Sequence, residues 1–97
     1  MIRHTVAFKL VHPHNSPEEK AFLDAIMRLS SIPGVRNLEL MKQTSAKNNF
    51  DYGLSMEFDT EKAYEEYNRH PDHVLFVSTY WITEVSDFLE LDYEPLN

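Results

Sequence analysis

Ninety-seven residues supply one domain's worth of chain, and folding at this length buries only roughly 60–65 % of the surface the unfolded chain exposes. A formal charge of −7 argues against nucleic acid and anionic membrane surfaces as partners. With no cysteine there is no disulfide, thiolate nucleophile or Cys-based zinc site, and no apolar run approaches the roughly 20 residues of a membrane span.

Met1 leads directly into alternation, without a basic start, apolar run and cleavage site, which gives the expectation of a cytoplasmic protein. From Ile2 to Leu10, Ile2, His4, Val6, Phe8 and Leu10 fall on one face and Arg3, Thr5, Ala7 and Lys9 on the other, the pattern of a half-buried strand. His4 interrupts the apolar row. It is either a core histidine satisfied by its neighbours or a polar group aimed into a cavity, and without partners it would cost roughly 1–3 kcal/mol. His12-Pro13-His14 follows in a turn and reads as surface, since nothing nearby offers a further metal ligand. Ser16, Pro17 and Glu19 then form the capping box of a helix whose Phe22, Leu23, Ile26, Met27 and Leu29 recur at helical spacing. Phe22 and Met27 are also placed to line any pocket beneath it. Pro33 and Gly34 end the segment.

Residues 35–44 form a second strand, with Leu38 and Leu40 on one face. A loose polar connection leads to a third over 50–58, with Tyr52, Leu54, Met56 and Phe58 sharing a face. Asp59-Thr60 caps a second helix that projects Ala63, Tyr64 and Tyr67 from one side. Pro71 breaks it at His70, and a short helical segment starts near Asp72. After the aromatic cluster Tyr80-Trp81-Ile82, residues 85–93 read as a last strand, with Val85, Leu89, Leu91 and Tyr93 on one face and Phe88 on the other. The order β-α-β-β-α-β predicts an α+β, ferredoxin-like fold with helices over one face of a four-stranded antiparallel sheet. The uncovered face, with Thr5, Ala7, Met41, Ser55 and Phe88, is less polar than a wet surface, so a two-fold homodimer with sheets face to face is expected.

The chemistry concentrates around the break. His70 and His73 are three apart, but the proline between them spoils regular helical presentation, so no metal and no cofactor are expected. His73 can exchange a proton near neutral pH. Tyr67 can orient it or bond a carbonyl, and His4 can reach the same space from the first strand. Such a set suits proton abstraction beside a carbonyl. The same residues could equally cap backbone groups at a turn.

Three segments carry a resemblance over essentially the whole chain: Arg3-His4-Thr5-Val6-Ala7-Phe8-Lys9-Leu10, His70-Pro71-Asp72-His73-Val74-Leu75-Phe76 and Phe88-Leu89-Glu90-Leu91-Asp92-Tyr93-Glu94-Pro95. Together they resemble the stress-responsive A/B barrel (Dabb) family, and within it the olivetolic-acid-cyclase-like members. The resemblance implies one domain over residues 1–97, a dimeric α/β barrel and a hydrophobic small-molecule pocket. It also implies cofactor-independent chemistry on a carbonyl or polyketide-like substrate, with Tyr67 and His73 matching a catalytic pair and His4 a pocket histidine. Val6, Phe8, Phe22 and Phe76 match pocket positions, and His70 joins them as an expected pocket residue. Glu65, Glu66 and Arg69 make the helix before the break more charged than in the cyclase. Two other readings stand beside this one: a non-catalytic stress or interaction protein with structural histidines, and a cofactor-free monooxygenase.

Overall fold

Alternation builds the sheet. A computed structural model describes residues 1–97 and places four antiparallel strands, β1 (Ile2–Leu10), β2 (Arg36–Lys42), β3 (Tyr52–Phe58) and β4 (Val85–Tyr93), in the order β2-β3-β1-β4. Val6, Phe8 and Leu10 of β1 are buried beside Leu54, Met56 and Phe58 of β3, with Val6 opposite Leu54 and His4 opposite Met56. The helices α1 (Pro17–Met27), α2 (Glu61–Arg69) and α3 (Pro71–Phe76) supply the other side of this core. From α1 come Phe22, Ala25 and Ile26, and from the turn after it Leu29. Met27, expected at a pocket, is instead 41 % exposed, because it falls outside the stripe that meets the sheet. This is the ferredoxin-like arrangement. No helix is long and apolar enough to cross a membrane.

The caps explain where the helices start. Ser16 Oγ accepts from the Glu19 N–H at 3.1 Å. The Glu19 carboxylate reaches back to the Asn15 N–H at 2.8 Å, one residue earlier than the usual capping box. Thr60 Oγ1 accepts from the Ala63 N–H at 3.1 Å at the start of α2. Thr60→Ala should therefore cost about 1 kcal/mol of stability, read as a lowered urea midpoint with an unchanged slope. At the junction of α2 and α3, Pro71 holds His70 extended (ψ 136°) and takes the first position of α3.

β4 departs from simple alternation. Lys9 faces Asp87 and Leu10 faces Val85, so Ser86 is an extra residue in a β-bulge. Val85 is thereby turned to the helix side, onto the core. Beyond the bulge Phe88 faces Phe8, Glu90 faces Val6 and Asp92 faces His4. The outer-face placement of Phe88 is thus corrected: Phe88 lies on the helix side, while Leu89, Leu91 and Tyr93 point outward. These three are 46–52 % exposed, and Met41 on β2 is 44 % exposed. No helix covers that face.

Candidate functional site

Between the helices and the β1–β4 half of the sheet lies a cavity of about 270 Å³. Nine of its 13 lining residues are apolar, so the space suits a hydrophobic body fixed by a few polar contacts. Ile26, Leu29 and Leu54 form its floor towards the core, and Trp81 and Phe88 form an aromatic wall with ring centroids 5.6 Å apart. The polar lining comes from the other four, His4, Asn68, His73 and Glu90, and from the hydroxyl of Tyr67, whose ring counts with the apolar nine.

The break at His70-Pro71 is what positions His73. Its ring sits 4.4 Å, centroid to centroid, from that of Tyr67 on the preceding helix. His73 Nδ1 lies 3.1 Å from the Asn68 carbonyl oxygen, which can only accept, so Nδ1 carries the proton. In the neutral ring Nε2 then keeps its lone pair, and no protein group bonds it. Burial pulls the His73 pKa below its ordinary value, and the neighbouring His4 pulls the same way. The Asn68 carbonyl and Glu90 oppose this without reversing it. At neutral pH His73 is an uncharged base.

Tyr67 is 2 % exposed, packed against Phe58 and Tyr64 as well as His73. No protein group bonds its hydroxyl. Since no sealed side-chain N or O atom lacks a partner, that hydroxyl retains access to the cavity. Burial, with the negative charge of Glu90 adding, raises its pKa well above that of a free phenol. Tyr67 therefore presents a neutral O–H donor.

His4 resolves its burial through partners. Its Nδ1 lies 2.7 Å from Asp92 Oδ1 and 2.9 Å from the Tyr64 hydroxyl. Tyr64 is also 2.9 Å from Asp92 Oδ2 and 3.0 Å from Glu90 Oε2. Donation from Nδ1 to the Asp92 carboxylate leaves Nε2 as the acceptor nitrogen.

Of the expected residues, His4, Val6, Tyr67, His73 and Phe76 line the cavity. Phe8, Phe22 and His70 do not. Phe8 and Phe22 are fully buried against each other and Trp81, behind the cavity wall. His70 is occupied as the cap of α3, where its Nδ1 accepts from the Asp72 N–H at 3.1 Å. The sequence reading missed Tyr64, Glu90 and Asp92. Tyr64 carried a usable signal, since it sits three residues before Tyr67 on one helix face. The inward row Phe88, Glu90, Asp92 was hidden by the bulge at Ser86.

The model of the stress responsive A/B barrel domain matches residues 2–95. A Dabb family protein with a ferredoxin-like fold from Mesorhizobium loti is 52 % identical, with a TM-score of 0.96 over 99 % of this chain and 97 % of that one. A dimeric ferredoxin-like protein of unknown function from Thermobifida fusca is 22 % identical, with a TM-score of 0.74 over 95 % of this chain and 88 % of that one. The hydroxynitrile lyase of Passiflora edulis is similar in fold alone, at 12 % identity and a TM-score of 0.83 over 95 % of this chain and 90 % of that one. No curated protein matches the sequence.

Proposed function

The chain belongs to the stress-responsive A/B barrel (Dabb) family, and from that premise we propose that it binds a small hydrophobic carbonyl compound and moves a proton beside the carbonyl without a cofactor. One observation carries this reading: an imidazole Nε2 and a phenol O–H, neither used by the protein, border one apolar cavity with their rings in contact. His73 Nε2 takes the proton from the carbon next to the carbonyl. The Tyr67 O–H donates a hydrogen bond to the carbonyl oxygen as it gains charge. His4, held by Asp92 and Tyr64, positions the ligand. That a hydroxynitrile lyase shares the fold is consistent with small-molecule chemistry in such a space, as fold-level analogy only.

The test uses benzylacetone, a methyl ketone on a phenylethyl chain, in deuterium oxide. Exchange of its α-hydrogens, followed by proton NMR, should be faster with the protein than in matched buffer. Binding without any added exchange would leave a carrier and remove the acid–base reading.

The same proposal includes a homodimer through the outer face of the sheet. Leu89, Leu91, Tyr93 and Met41 are half exposed there, and the Thermobifida fusca relative is described as dimeric. Leu91→Glu is expected to give a folded monomer in sedimentation at micromolar concentration, where the unaltered chain sediments as a dimer. An unaltered chain that sediments as a monomer would overturn this part of the reading.

A further inference from the structure

The cavity has a charge as well as a shape. Glu90 lies on its wall, beside Val6 in the β1–β4 register, and its carboxylate is 3.4 Å from His4 Nδ1. Asp92 stands two residues on, on the same face, bonded to the same imidazole. No Lys or Arg lines the cavity, and neither carboxylate is within ion-pair distance of one. Two carboxylates therefore share one imidazole, and this end of the cavity is negative by at least one charge whether or not His4 is protonated. The Tyr64 hydroxyl lies within hydrogen-bond distance of both carboxylates, and its single proton serves one of them at a time without neutralising either.

We propose that Glu90 selects the ligand by charge: the cavity accepts neutral or positively charged head groups and turns away carboxylates. This rests on the cavity being a ligand site, as proposed above, and it narrows the class of ligand. The apolar body lies along Trp81 and Phe88, and its head group meets Tyr67, His73, His4 and the Glu90 carboxylate. A carboxylate head would be brought against the Glu90 carboxylate, with that of Asp92 behind it on the same strand. An ammonium head would be attracted, and a ketone lies between. Glu90 keeps 47 % of its side chain exposed, so solvent weakens this preference to roughly tenfold between opposite charges.

Three compounds on one phenylethyl chain test the idea: hydrocinnamate, benzylacetone and the primary amine obtained by reductive amination of benzylacetone. The chain has one tryptophan, Trp81, and it lines the cavity, so its fluorescence reports occupancy. The expected affinity order is amine, then ketone, then carboxylate. In Glu90→Gln, which can still accept from Tyr64, the amine–carboxylate ratio should collapse by roughly tenfold. Equal affinities for all three compounds, or an unchanged ratio in Glu90→Gln, would overturn charge selection and leave the cavity as a ligand site. Failure of all three to change the Trp81 emission at millimolar concentration would overturn both readings together.

Discussion

His73→Gln is expected to lower the protein-catalysed exchange of benzylacetone by roughly 10²–10⁴-fold, the usual contribution of a positioned general base. Affinity for the same ketone, read from Trp81, should change far less, because glutamine fills similar space and the apolar wall is untouched. The pH profile follows from the direction of the His73 shift. Burial favours the uncharged ring, so its pKa lies below the ordinary 6.5. Only the uncharged form accepts a proton, so exchange should be level at neutral pH and fall on the acid side, with a midpoint below that ordinary value. Stability carries the same sign. As pH falls through 6.5 the unfolded chain takes up a proton that the folded one still resists, so the native state loses stability until the folded pKa is passed. His73→Gln should remove that part of the acid-side loss. A variant that keeps full exchange activity would show that the base lies elsewhere. One that unfolds would support a structural histidine instead.

The part of this site that was legible in the sequence came from local rules. Proline at position 71 disfavours a helical conformation in the residue before it, so the break at His70 was readable locally, while the pairing of His73 with Tyr67 was only one of two options there. His4 in an apolar row was likewise a visible anomaly, and strict alternation placed it on the face with Val6 and Phe8. Its partner on β4, Asp92, was not visible, because its placement depends on one unpaired residue in that strand. Ser86 has no side-chain signature that distinguishes a bulge from a regular position, yet it moves Val85 across the sheet and separates the parity of residues on either side of it. Depth was also illegible. Phe8, Phe22 and Phe76 are all inward aromatics by pattern, but only the crossing of α1, α3 and the β1–β4 edge decides which of them meets the cavity. His70 shows a third limit: its ring is used by the backbone of its own turn, a local competition that spacing alone does not resolve.

Phe8→Ala should be the most destabilising single change in the chain's aromatic core, at about 3–5 kcal/mol, a large share of the 5–15 kcal/mol typical of a small domain. Phe8 is fully buried on the central strand, paired on one side with Tyr52 and on the other with Phe88. Its ring stacks on Tyr52 at 5.1 Å and meets Trp81 at 5.3 Å and Phe22 at 5.9 Å. Three rings would lose a partner at once, and the hydrogen-bonded strands on either side of β1 limit how far the gap can close. Phe88→Ala is the matched control. It removes the same side chain from the neighbouring strand, but that side chain is 52 % exposed, so a little less than half the loss is expected. Urea titrations followed by far-UV circular dichroism at one fixed protomer concentration would compare the two, since association would otherwise add to the apparent stability. Trp81 joins this experiment to function: it leans on Phe8 and forms the cavity wall with Phe88. Both variants should therefore weaken benzylacetone binding, Phe88→Ala by direct loss of contact and Phe8→Ala by releasing the indole. A Phe8→Ala variant no less stable than Phe88→Ala would mean that the core behind the cavity is not packed as described, and that the wall it supports is not rigid.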